Sequence, residues 1–446
     1  MKRRSGQSQK GFRNAFSRPL ESPLCISYQV VAPPGWVNSH CESGAVGPGE
    51  ELTVSKPSDF EPVLAQLAAK PIHGVDLETG GSVAGDGLDP VSGTSEILLC
   101  QYGTEEKVFI LAPELMPALK SLIQSDKHLH LGHNIVHEME FTLAKQGLVL
   151  VRMYDTMLAE QSLKAGLSGV RVSLRDLARH YPPHHLISKD VREQFVEFRP
   201  GMKFTREMLY YAARDVSLLF PVFQAQLKEI EQWTLKTVCQ DEMNVIPVTA
   251  EMELTGDDLD QEILLLAVSP YVQRAEEIRT EVRQLYNQAL TKNGRAQQTV
   301  MTGLLEELDL DSNQKKLEAL QELGFDIKDV KRETLELLGT ELSNLLGEYS
   351  KCTKMISTYG QNLVDRCNKT TGKFHPEFHQ LGIGENLGGK AKKSTLATGR
   401  YSSDFQQIPR PKKEFKQVTD PVEVARVEAM FAESLAKAKA EGAVHG

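Results

Sequence analysis

Paired cysteines are the first thing missing. Cys25, Cys41, Cys100, Cys239, Cys352 and Cys367 are scattered along the chain, and no C-x-x-C occurs. That removes a disulfide framework and a structural zinc site, and it fits a reducing compartment. No apolar run reaches about eighteen residues, so no membrane-spanning helix and no membrane partner are expected. The N-terminal MKRRSGQSQKGFRNAFSR is basic but has no apolar stretch of the secretory kind; a disordered basic tail is expected, with a transit peptide as the other reading. An excess of positive charge is absent too. The net charge of -9 argues against indiscriminate coating of nucleic acid. It leaves room for a nucleic-acid enzyme, because carboxylates in a metal site lower the total. No internal repeat is present.

What remains is an ordinary globular composition, 40% apolar and 25% charged, over 446 residues, enough for two or three domains. Residues 1–55 are rich in Gly, Ser and Pro and lack sustained periodicity, which predicts a mostly disordered tail. DFEPVLAQLAAK predicts a helix capped by Ser58. EILLCQYG and KVFILA read as strands, and VSLRDLARHY as an amphipathic helix capped by Ser173. FTREMLYYAARDVSLLFPVFQAQLKEIEQW is a long helical stretch with a break expected near Pro221. Strands followed by alternating strands and helices predict an α/β domain with a mixed central sheet, over 56–235. Helical patterns dominate beyond 236. A Gly- and Lys-rich loop and a final Ala/Glu/Lys-rich helix, 416–446, close the chain.

The chemistry centres on Val75-Asp76-Leu77-Glu78-Thr79, a short β-branched run closed by Gly80 and Gly81. Side chains two apart on a strand share a face, so Asp76 and Glu78 project together. Like charges side by side on a buried strand repel, and a divalent cation between them relieves the cost. Taken alone, such a pair is more often a solvated strand end. Three other places supply further acids. Glu138 in GHNIVHEME lies four residues after Asn134 and so on the same helix face; Tyr211 and Asp215 in YAARD are likewise four apart and face one way; Asp155 sits at a strand-to-helix junction in YDTML. Phosphodiester hydrolysis with two metal ions needs such a carboxylate set, and a phenol beside it can orient the attacking water. His133, His137 and Glu138 give a zinc alternative, but no third spaced ligand completes it.

VDLET, GHNIVHE and YAARD, in this order and spacing, resemble the three motifs of the DEDD 3′→5′ exonucleases of the tyrosine subtype. DTMLAEQSL, SLRDLARHY and LISKD extend the likeness across about residues 58–235. The resemblance implies an RNase H-like exonuclease domain. Asp76, Glu78, Glu138 and Asp215 would ligate two Mg²⁺ ions (Mn²⁺ being the substitute), Tyr211 would position water, and Asn134 would help hold the strand or its loop. Glu138 stands where the family usually has Asp, a departure some members share, so activity is still expected, at most reduced; Asp155 falls at a structural position. His184 and His185 read as exposed loop residues.

Residues 236–415 resemble the thumb and early palm of family A DNA polymerases, in VIPVTAEMELTGDDLD, SNQKKLEAL, EYSKCTKMISTY, GKFHPEFHQLG and TGRYSSDFQQIPR. Thr398 and Arg400 match positions that meet primer–template. The catalytic palm motifs are not found after Arg410, so a split polymerase with a second chain supplying palm and fingers, a degenerate one, or a truncated one is expected. The resemblance implies a proofreading-type 3′→5′ exonuclease acting on single-stranded DNA 3′ ends. An idle primer–template clamp and an RNase D-like exoribonuclease are the alternatives. A bacterial or phage-infected cytoplasm is the expected setting.

Overall fold

Short β-branched runs that cannot bury themselves need a sheet, and here seven of them form one. In the computed structural model the described residues are 26–83, 86–167, 170–182, 191, 194, 195, 197–292, 308–381 and 402–403. The chain divides into two compact units, Met1–Ser402 and Ser403–Gly446, and every element below lies in the first. The strands are β1 (Tyr28–Ala32), β2 (Glu51–Thr53), β3 (Ile72–Gly81), β4 (Ser95–Gly103), β5 (Val108–Leu111), β6 (Leu129–Gly132) and β7 (Met153–Asp155). Their spatial order is β2-β1-β5-β4-β3-β6-β7. β4 pairs antiparallel with β3 and β5; the remaining pairings are parallel. This is the expected mixed sheet of an RNase H-like α/β domain.

The predicted disorder of residues 1–55 is corrected for its second half. β1 and β2 add two parallel strands to the sheet, with Val30, Val31 and Ala32 fully buried. Between them Trp36 stacks on Phe204, ring centroids 6.0 Å apart, so this segment belongs to the α/β core. The helix before β3 also starts earlier than expected. α1 (Pro57–Ala68) has Lys56, not Ser58, at its cap. Pro57 presets the first helical residue, and the Asp59 carboxylate accepts the N–H groups of Ser55 and Lys56 at 3.0 and 3.1 Å.

Five helices cover the sheet or continue from it: α2 (Val136–Gln146), α3 (Thr156–Leu163), α4 (Leu174–His180), α5 (Arg206–Gln232) and α6 (Lys236–Thr255). Ser173 caps α4 as predicted, accepting the Asp176 N–H. α5 runs unbroken through Pro221, which corrects the predicted break. Pro221 removes one backbone hydrogen bond, and burial of Leu218, Leu219, Val222 and Phe223 around it offsets that loss. α6 lies beyond the predicted boundary at 235, yet Cys239, Met243, Ile246 and Ala250 pack into the α/β core.

A second core joins α7 (Gln261–Lys292), α8 (Asn313–Glu322), α9 (Arg332–Leu338) and α10 (Glu341–Tyr359) around Ile278, Val282, Leu320, Leu346 and Tyr349. Arg274 on α7 grips Glu348 on α10 through two bonds of 2.9 and 3.0 Å. The chain then returns to the α/β domain: Asn368 donates to Asp89 at 2.7 Å, and the Phe378 N–H to Glu253 at 2.5 Å. Thr398, Arg400, His184, His185 and the predicted C-terminal helix lie outside the described residues. Among the described residues no helix is long and apolar enough to cross a membrane.

Candidate active site

The site begins with a strand that is irregular where it matters. β3 pairs Asp76 with Gln101 and Glu78 with Leu99 on β4, and the register slips between Glu78 and Thr79. A bulge at this point twists the strand and re-aims the side chains beside it. Gly74, two residues before Asp76 and on the same face, lets α5 approach. A Cβ there would stand 2.7 Å from Val216 Cγ1 and 3.2 Å from the Phe220 ring. Thus the helix carrying Tyr211 and Asp215 lies directly against the strand carrying Asp76 and Glu78.

Tyr211 and Asp215 do face one way on α5. Their side chains hydrogen-bond. Burial first, then the charges of Asp215, Glu78 and Asp76, push the Tyr211 phenol far above its ordinary range. It therefore stays a neutral hydroxyl.

Glu138 comes from the opposite direction, on the first turn of α2. Its carboxyl lies deep, 3% exposed, and burial followed by the Asp76 charge raises its pKa well above the usual carboxylate range. The N–H of Leu77, the residue between Asp76 and Glu78, bonds it and draws the value back down. One oxygen, Oε2, is buried with no hydrogen-bond partner. All five predicted residues are thereby brought to the middle of β3.

Asp155 sets the aim of Glu138. Its carboxylate, fully buried, accepts the N–H groups of Asn134 and Ile135 at 3.0 and 2.9 Å and caps α3 through Met157 and Leu158. That is the structural position expected of it. Asn134 departs from its expected place. It sits outside α2 with φ 63°, in the left-handed region, so it does not share a helix face with Glu138. Its backbone serves the Asp155 turn while its side chain is exposed. His133 meets Thr156 Oγ1 at 2.9 Å, and His137 stacks near Phe141.

Among the described residues no three His, Cys, Asp or Glu side chains stand ready to hold a metal, so neither zinc nor magnesium has a preformed cage. The donor set nevertheless fits a hard divalent cation. It is all carboxylate oxygen, suited to Mg²⁺ or Mn²⁺ and unsuited to a thiolate-seeking metal. The orphaned Glu138 Oε2 beside Asp76 is an acceptor such a cation would satisfy.

Two neighbours were not singled out from the sequence. Arg214 lays its guanidinium 4.6 Å from the Tyr211 ring centroid and reaches Asp215 Oδ1 at 3.3 Å. Gln101, opposite Asp76, is fully buried, and neither its amide nitrogen nor its oxygen has a partner. Nothing in periodicity marks either; Arg214 adjoins Asp215, and neighbours on a helix ordinarily point apart.

A mixed sheet presenting two acids on its central strand β3, faced by a tyrosine and an aspartate four apart on a helix, is the arrangement of a 3′→5′ exonuclease-type domain, and the comparisons agree. Residues 52–231 match the family model described as 3′-5′ exonuclease. The DNA polymerase I of Chloroflexus aurantiacus is 27% identical over 377 residues, covering 80% of this chain and 37% of that protein. That of Pseudomonas aeruginosa is 24% identical over 308 residues, covering 66% and 31%. The POL domain of Pol1 from M. smegmatis, solved in complex with DNA primer-template and dNTP, shares the fold at a TM-score of 0.57 and 18% identity, over 80% of this chain and 56% of that one. Residues 52–231 thus carry a 3′-5′ exonuclease domain, and the chain as a whole is similar to part of those DNA polymerase I proteins. It spans about a third of the length of those two curated relatives.

Proposed function

We propose that this chain is a metal-dependent 3′→5′ exonuclease that removes nucleotides from DNA 3′ ends in the manner of a proofreading domain. The observation that carries the reading is the Glu138 carboxyl, bonded at Leu77 between Asp76 and Glu78, while Tyr211 and Asp215 face the same two acids. Asp76, Glu78, Glu138 and Asp215 would hold the cations. Bound there, two divalent ions supply an activated water and charge stabilisation for the attacking and leaving oxygens. The protein's own groups do the rest. The neutral Tyr211 hydroxyl, hydrogen-bonded to Asp215, orients a water without removing its proton. The Gly74 contact fixes the distance between strand and helix. Asp155 fixes the turn that delivers Glu138.

A second reading is a clamp with an idle nuclease site, working beside a second chain that supplies polymerase palm and fingers. The pairing of Asp215 with Arg214 and the absence of a preformed three-ligand cluster among the described residues favour it. Incubation of the purified chain with 5′-labelled single-stranded DNA and Mg²⁺ decides between them. Stepwise shortening that disappears in Asp76→Ala supports the nuclease; binding of primer–template without shortening supports the clamp. A matched RNA strand in parallel tests substrate class, and faster shortening of RNA would move the reading to an exoribonuclease.

A further inference from the structure

An anionic strand approaching four carboxylates meets repulsion, so a fixed cation at the same place changes what the site can bind. Arg214 is such a cation. Its side chain is only 13% exposed, although an arginine on a helix surface could extend into water. It folds back instead over the Tyr211 ring and contacts Asp215, its sequence neighbour. Neighbouring helix positions are about a quarter-turn apart, so this contact requires the long side chain to bend toward the acidic face. Its Nε is buried without any hydrogen-bond partner. A guanidinium carries five N–H donors in a flat fork that matches two oxygens of a phosphate. Here the bond to Asp215 uses one of them.

We infer that Arg214 is a phosphate-binding residue of the nuclease site, its guanidinium receiving the phosphate nearest the 3′ end while stacked on Tyr211. The inference rests on the nuclease reading above and deepens it. The stack holds the plane of the fork, and Phe195, with its ring centroid 6.0 Å from that of Tyr211, supports the phenol in turn. Asp215 keeps the charge beside the acids until substrate arrives. The role differs from that of the carboxylates, because it concerns the strand and not the cation.

The test uses the full chain and an oligothymidine single strand. Equilibrium binding is measured in EDTA across a salt series, and kcat and KM are measured separately in Mg²⁺. Arg214→Ala is expected to weaken binding roughly tenfold and to lower the log–log salt slope by about 0.7, the share of one phosphate contact on a single strand. Arg214→Lys is expected to restore the slope but only part of the affinity, since it keeps the charge and loses the fork. Unchanged affinity and slope in Arg214→Ala, with the wild type shortening DNA, overturns this inference alone. A fall in kcat with binding unchanged also overturns it, leaving Arg214 as a support for Tyr211. A wild type that neither binds nor shortens the strand overturns the nuclease reading and this inference with it.

Discussion

A Cβ placed on Gly74 would sit 2.7 Å from Val216 Cγ1 and 3.3 Å from the Val216 carbonyl oxygen. Gly74 precedes Asp76 by two residues and Val216 follows Asp215 by one, so this contact sets how closely two of the acids approach. Val216 is fully buried and its backbone belongs to a long helix, so neither partner can yield cheaply. Gly74→Ala is expected to destabilise the protein by about 1–3 kcal/mol through overpacking. It should also lower exonuclease activity about a hundredfold, as a displacement near 1 Å does in a positioned site. Urea denaturation and the strand-shortening rate measure the two effects, and an active, equally stable variant would show that the contact does not govern the site.

Glu138 predicts a trade between stability and activity. Its carboxyl is buried against another acid with one oxygen unserved, which is costly as long as no cation sits there. Glu138→Gln keeps the shape and removes the charge. The melting temperature in EDTA should stay equal or rise, while activity in Mg²⁺ falls about a hundredfold or more. A variant both less stable and fully active would contradict this account of the residue.

The sequence was informative where the chemistry follows local geometry. The alternation of VDLET put Asp76 and Glu78 on one face, and the spacing of four put Tyr211 and Asp215 together. It was silent where partners are remote. β1 and β2 are strands of five and three residues, in a Gly- and Pro-rich stretch, and β1 finds its partner β5 far along the chain. Too short to show a period, they read as disorder. Pro221 misled because tertiary packing on α5 outweighs one lost bond. Beyond the boundary near 235, α6 carries its apolar face back to the α/β core, a packing no local pattern announces. There Glu253 hydrogen-bonds Glu140, whose pKa is pushed up to about 10 by burial and then by this neighbour. Asn134 was placed on a helix that starts two residues later.

A buried polar chain beneath the site predicts acid sensitivity. Tyr102 Oη lies 3.0 Å from His73 Nδ1 and 2.8 Å from His130 Nε2. His73 Nε2 donates to the Leu67 carbonyl and His130 Nδ1 to that of Arg152, which leaves His73 Nδ1 and His130 Nε2 facing the Tyr102 hydroxyl, whose single proton serves one of them at a time. Burial lowers both histidines to about 4, and His128 beside them adds to the effect. Folded, both stay neutral; unfolded, each takes a proton near pH 6.5. The unfolded chain therefore binds more protons below 6.5, and stability present above that pH is lost as pH falls through 4. The loss is about 3 kcal/mol for each histidine. Denaturant midpoints measured between pH 7 and 4 should fall steeply, and less steeply in His130→Asn. A flat profile would show that the pair is charged or exposed when folded.

The central claim, that these carboxylates converge to hold divalent cations, is tested most directly by counting bound Mn²⁺. Electron paramagnetic resonance of the full chain, titrated with Mn²⁺ in the presence of a nucleoside 5′-monophosphate, reports bound against free ion. Saturable binding in the wild type, lost in both Asp76→Ala and Asp215→Ala while their circular dichroism is unchanged, is the predicted result. Identical Mn²⁺ binding in the wild type and both variants, or none in the wild type, would contradict it.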